Sequence, residues 1–370
     1  MRIFHCDHCQ QLVFFENVTC LGCGHSLAFL PDLDEIGSLE ADAEGLLRSP
    51  GSEGRTYRLC QNYTEGNVCN WAIPSEDPEP LCESCRLTRV IPDQSVPAHP
   101  AAWYKLEVAK RRLIYSLLSL GLPVVNKTVD PEHGLAFEFL ADPPRADPSG
   151  EPTIPPPGPV LTGHANGVVT INIAEVDDVE RERRRTALHE PYRTLLGHFR
   201  HEVGHYYWDR IVLGTDRLEP FRKLFGDDRK DYAKALEAHY KKGKSTDWQA
   251  SYISSYAASH AWEDWAETWA HYLHMTDTLE TAAACGLSLR PSRADEPEIR
   301  PARKNWRGGL GKFEKMIERW FPLTYVLNNL NRGLGLPDGY PFVLSPPVVE
   351  KLKFVHETIQ AAASKEANKA

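Results

Sequence analysis

The sequence predicts an α+β fold, mainly helical with a small sheet, preceded by a small cysteine-rich module. Eight of the nine cysteines fall in close pairs before residue 86. Through most of the remainder, apolar residues recur at three- and four-residue spacing, the period of amphipathic helices. One segment, 167–174, alternates apolar and polar residues as a half-buried strand does.

A chain of 370 residues can bury one sizeable core and a satellite module. Its 42 Lys and Arg against 51 Asp and Glu leave a net charge of −9. That balance argues against a nucleic-acid partner for the chain as a whole, and reads Arg181, Arg183, Arg184 and Arg185 as a solvated face. The longest apolar stretch, Leu113 to Val125, is broken by Ser116, Ser119 and Gly121, well short of the roughly 18 apolar residues that span a bilayer. The opening Met-Arg-Ile-Phe-His-Cys carries no apolar signal core. The expectation is a cytoplasmic protein without membrane contact, whose paired cysteines are metal knuckles kept reduced.

Residues 1–92 are expected to form the cysteine module, loop-like, with an acidic Gly/Ser-bearing stretch from Asp32 to Gly54. Cys6-x2-Cys9 and Cys20-x2-Cys23 stand ten residues apart, and Gly22 and Gly24 supply tight turns that aim backbone amides at sulfur. Four thiolates so spaced make a closed structural Zn2+ site, which a segment with few apolar residues needs. Cys60, Cys69, Cys82 and Cys85 predict a second such site, with an interleaved pairing of knuckles left open. The module is expected to serve structure and the docking of a protein partner.

The prolines from Pro92 to Pro100 mark a boundary, and residues 100–362 are expected to form the main domain. Trp103, Leu106, Lys110, Leu113, Leu117 and Leu120 share a helical face that stops at Gly121 and Pro123. Pro143 to Pro159 reads as an extended connection. Helices are expected from Pro191 to Val212, Asp231 to Lys242 and Ser259 to Ala284, the first and third stopped by Gly214 and Gly286. From Gly309 to Ile359 the pattern is helical with breaks at Pro322 and at Pro337 to Pro347, and residues 363–370 form a disordered tail. Cys285 is expected as a small buried apolar residue near a helix end.

The chemistry concentrates in His201-Glu202-Val203-Gly204-His205. On a helix, positions i and i+4 share a face, so both imidazoles can reach one cation while Glu202 projects toward water on that metal. An open catalytic zinc site needs a third protein ligand. The helix carrying Glu263, Glu267, His271 and His274 on one face offers it, with one carboxylate on the metal and another bonded to a ligand imidazole. Trp262, Trp265, Trp269 and Tyr272 form that helix's core stripe.

His201-Glu202-x-x-His205 with Glu263-Asp264-Trp265-Ala266-Glu267 resembles the gluzincin metallopeptidases, distantly those related to anthrax lethal factor. The resemblance implies a zincin-like domain in which Glu263 binds zinc, Glu267 supports a histidine ligand and Tyr256 helps stabilise the oxyanion. The whole chain is more similar still to bacterial zinc-binding metallopeptidases with an N-terminal zinc ribbon. That likeness rests on the cysteine module, Asn70-Trp71, Cys82 to Arg86, Gly163 to Glu175, His201 to Arg210, Trp262 to His274 and Tyr340 to Pro346. Glu263 follows His205 by 58 positions, longer than thermolysin-type spacing. Residues 215–250 are therefore an insertion, and Glu267, His260 and His271 remain rival third ligands.

The expected activity is hydrolysis of peptide or protein substrates by a metal-activated water, with Glu202 as general base and then acid. The strand 167–174 would hold the substrate by edge pairing. Two other readings are a ribbon-based adaptor with a non-proteolytic zincin domain, and a zinc hydrolase acting on a non-peptide amide.

Overall fold

The computed structural model describes residues 2–143, 160–177, 179, 181, 194–242, 247–293, 295–296, 298–299 and 312–367. Arg183 to Arg185, Pro191, most of the proline-rich connection and residues 368–370 lie outside the described residues.

The N-terminal module is richer in strands than its composition suggests. A short hairpin, β1 (Phe4–His5) and β2 (Leu12–Val13), precedes an antiparallel sheet. Its order is β3 (Ser26–Leu30), β4 (Glu35–Ala41), β5 (Leu47–Arg48), β6 (Tyr57–Leu59), β7 (Ala72–Pro74), with the single turn α1 (Gln61–Thr64) before β7. The Asp32–Gly54 stretch is thus not the loop expected of it, because β4 runs through its centre. The acids mark turns instead. Asp34 takes a φ of +56°, and Asp42 accepts from the amides of Glu44 and Leu46 at 3.1 and 2.9 Å to close the β4–β5 turn.

A second sheet has the order β10 (Gly163–Ala165), β11 (Val168–Asn172), β9 (Ala136–Leu140), β8 (Thr88–Val90). β10 is antiparallel and the other three are parallel. The segment expected as a strand therefore sits inside the sheet as β11, hydrogen-bonded on both sides, and its edges are not free for a substrate. Among the described residues, the outer strand on that side is β10.

Helices cover this sheet. α2 (His99–Ser119) takes Pro100 into its first turn and ends at Gly121, whose φ is +70°. α3 (Leu195–Ile211) starts at Thr194, whose hydroxyl accepts from the Gly197 amide at 2.9 Å. Phe199 of α3 packs on Phe137 and Phe139 of β9 at 5.6 and 6.0 Å between ring centres. α4 (Leu218–Phe225), α5 (Tyr232–Lys242), α6 (Ala261–Ala284), α7 (Phe313–Gly333) and α8 (Pro346–Ala367) complete the domain.

Three expectations need correction. α7 passes through Pro322 unbroken; the proline forfeits one helical hydrogen bond, and burial of Pro322 itself and of the Met316, Trp320 and Leu323 face offsets that loss. α8 continues to Ala367, into the stretch expected as a tail, because alanines, Lys365 and Glu366 are good helix formers. Cys285 caps α6 and is exposed rather than buried.

The boundary near residues 92–100 separates no two cores. β8, upstream of it, is a strand of the second sheet. Phe4, Phe15 and Phe29 of the first module pack on Tyr115 of α2 at 6.4, 5.4 and 5.8 Å, worth about 0.5–1.5 kcal/mol per aromatic pair beyond area burial. No described helix is long and apolar enough to cross a membrane.

Candidate metal centre

α3 and α6 meet at unusually close range. A Cβ on Gly204 would lie 3.0 Å from the Ala266 backbone and 3.2 Å from the Trp269 ring. Trp265 Nε1 donates to the Gly204 carbonyl at 2.8 Å, and Tyr207 stacks on Trp269 at 5.0 Å. This contact sets the His201 and His205 face of α3 against the first turn of α6.

There, His201 Nε2 lies 3.0 Å and His205 Nε2 3.5 Å from Glu263 Oε2. His201 donates from Nδ1 to Glu267 Oε1 at 2.8 Å. In the neutral ring, the form that binds a metal, its Nε2 is then a bare lone pair. Opposite it, Glu263 Oε2 is buried without a hydrogen-bond partner among the described residues. Two acceptors facing each other in a buried site repel unless a cation lies between them. The donor set, two imidazoles and a carboxylate, is that of an open zinc site. These residues fit the metal, and Glu267 has the place of the outer carboxylate that orients a ligand histidine.

The electrostatics agree. Burial opposes charge on His201, but the carboxylates of Glu263 and Glu267 override it and hold its pKa well above the ordinary value. Burial likewise opposes charge on Glu263, yet His205 and His201 hold it well below the ordinary carboxylate range. Burial pushes Glu202 upward, against the pull of both histidines. Its side chain makes no hydrogen bond among the described residues, so nothing competes for a proton there.

The rival third ligands stand elsewhere. His260 caps α6, its Nδ1 accepting from the Trp262 amide and its Nε2 donating to the Lys230 carbonyl, both at 3.1 Å. His271 is buried against the Tyr340 hydroxyl at 2.8 Å. Tyr256 lies in a tight turn, Tyr256–Ser259, just before α6, its ring 5.9 Å from that of His201.

Several side chains here escaped the sequence reading. Tyr232, on α5 within the 215–250 segment, donates to Glu263 Oε1 at 2.5 Å. Ser254 donates to Glu267 Oε2 at 2.7 Å. Trp262, expected as core, lies 3.8 Å from the His205 ring. No periodic pattern announces Tyr232 or Ser254, which reach the site from an inserted helix and from the bend before α6.

In the N-terminal module, the sulfurs of Cys6, Cys9, Cys20 and Cys23 lie within 4.8 Å of one another, as do those of Cys60, Cys69, Cys82 and Cys85. The knuckles are not interleaved. Four soft thiolates at such spacing suit Zn2+.

Residues 99–358 match the model of a family described as "Putative zinc-binding metallo-peptidase". The chain belongs to this family. Residues 3–96 match a zinc-ribbon domain, so the metallo-peptidase family region and the ribbon together take in almost the whole chain. Relatives of the same overall length are an uncharacterized protein of Mycobacterium bovis and another of Mycobacterium tuberculosis. Each is 43% identical over 364 residues, covering 98% of this chain and 96% of the relative. No solved structure matches the chain.

Proposed function

We propose that this protein is a zinc-dependent peptidase of gluzincin type, working in the cytoplasm, where its cysteines stay reduced. The observation that carries the reading is the pair of facing lone pairs, His201 Nε2 and Glu263 Oε2, with His205 Nε2 beside them and Glu267 fixing the His201 ring. His201, His205 and Glu263 would hold the catalytic zinc, and the two cysteine quartets one structural zinc each. When bound, the catalytic ion supplies Lewis acidity and brings water ionisation toward pH 7.

The chain's own groups do the rest. Glu202 takes a proton on its carboxylate and returns it to the leaving amine, helped by burial that brings its pKa nearer the working pH. Tyr256 offers a phenolic hydroxyl to the developing oxyanion, worth about 3–4 kcal/mol if well placed. Tyr232 holds Glu263 through the oxygen turned away from the histidines. The outer edge of β10, unpaired among the described residues, can pair with an extended peptide.

The test is a peptide-library cleavage profile of the zinc-loaded protein, with and without a chelator. Chelator-sensitive cleavage is expected. Absence of cleavage alongside turnover of a non-peptide amide would overturn the substrate class. Glu267→Ala is expected to weaken zinc binding at this centre by about 10- to 100-fold without abolishing it. Competition with a fluorescent chelator reads that directly, and complete loss would make Glu267 a ligand.

A further inference from the structure

Each knuckle of the first cysteine quartet has a histidine beside it. His8 stands inside Cys6-x2-Cys9, and His25 follows Cys23 by two positions. Gly24, at a φ of +79°, turns the chain between Cys23 and His25, and the His25 carbonyl accepts from the Cys20 amide at 2.9 Å. The turn lays the His25 ring against the quartet. Its Nδ1 lies 3.2 Å from Cys23 Sγ, and its Nε2 lies 2.6 Å from Glu40 Oε1 on β4. The His8 ring stacks on it at 4.1 Å between ring centres.

Glu40 stands to His25 as Glu267 stands to His201. A carboxylate that accepts from one ring nitrogen fixes the tautomer and leaves the lone pair of the other for a metal. In the neutral ring that lone pair, on Nδ1, faces the Cys23 sulfur. Two electron-rich atoms at 3.2 Å repel unless a cation joins them. A ring nitrogen of His8, one of His25 and Cys23 Sγ all lie within 4.8 Å of one another. His8 is exposed and Cys23 and His25 are half-buried, so an ion and its water can reach this flank. Two imidazoles and a thiolate suit a zinc-type ion. A Zn2+ ion held by four thiolates keeps a net negative charge, and its sulfurs keep lone pairs, so the quartet itself draws a further cation to this side.

We propose that His8, Cys23 and His25 bind an additional zinc-type ion on the open flank of the first quartet, with the Cys23 sulfur shared between the two ions and Glu40 orienting His25. The inference rests on the structural zinc proposed for that quartet and is independent of peptidase activity. Because the additional ion is open to water and takes a sulfur already engaged, it binds more weakly and exchanges faster than the structural ions.

The test uses the full-length, zinc-loaded protein, freed of excess metal and titrated with Co2+, which absorbs by sulfur-to-metal charge transfer only when a thiolate binds it. Uptake of one Co2+ per chain with that absorption, and no release of zinc, is expected. His8→Phe and His25→Phe should each lose the cobalt and keep the zinc, and Glu40→Gln should weaken cobalt binding by about 10- to 100-fold. No uptake by the unsubstituted protein overturns the proposal and makes His25 a hydrogen-bond donor to the thiolate. Uptake without the absorption overturns it, as does uptake matched by released zinc, or uptake that survives both histidine substitutions. If His25→Phe also releases zinc, His8→Phe decides alone, and cobalt retained there overturns the proposal. Fewer than two zinc ions per chain before cobalt is added would remove the quartet reading and this inference with it. Filled quartets without cobalt uptake sink this inference alone.

Discussion

Replacing Glu202 by glutamine is expected to lower kcat/KM for peptide hydrolysis by about 10²- to 10⁴-fold while leaving the zinc content as it was. Glutamine keeps the shape of glutamate and cannot take the proton. The substitution costs little in structure, because the Glu202 side chain forms no hydrogen bond among the described residues and is not one of the three groups that converge at the centre. Burial raises the Glu202 pKa, so the active, deprotonated form grows in as pH rises through a value above that of ordinary glutamate. Removing the carboxyl should therefore also remove the acid limb of the pH–rate profile. Initial rates on the best library peptide, with elemental analysis of the same samples, check both halves. Peptide cleavage surviving in Glu202→Gln would refute the mechanism.

Glu263→Ala has the opposite signature, loss of metal together with loss of turnover. The substitution removes Oε2, leaves two imidazoles where three protein ligands are needed, and strands the Tyr232 hydroxyl that bonded Oε1. Zinc should fall by one ion per chain while the cysteine-bound ions stay. Binding to the folded state alone stabilises it, by about 2.7 kcal/mol at a hundredfold excess over Kd. The thermal midpoint of the variant should accordingly stop responding to added zinc over the range that shifts the unsubstituted protein. A variant that keeps its full zinc complement would show that the ion does not depend on this carboxylate.

What could be read from the sequence was what helical geometry encodes locally. His201 and His205 sit four apart on α3, and Glu263 and Glu267 four apart on α6, so each pair declares a face before any fold is known. Gly204 completes the picture only in three dimensions, where it admits the Ala266 backbone. Tyr232 and Ser254 were not legible, because they approach along no repeating pattern. The place of β11 inside its sheet depends on β9, far upstream, although Asn166-Gly167 was a local sign of the hairpin with β10. In the first 92 residues, acidic turn residues hid the strands between them, β4 above all. Pro322 shows the converse: a strong local breaker overridden by its own burial and that of the helix around it.

The sharing of β8 between the ribbon's chain segment and the second sheet limits how the molecule can be dissected. A fragment begun at residue 99, where the family match starts, would strip β9 of its neighbour and bare the aromatic side of α2 that Phe4, Phe15 and Phe29 cover. An unpaired strand margin next to uncovered rings is a recipe for self-association. The two named regions therefore share one core, and stripping metal from the cysteines should be felt where α3 meets α6.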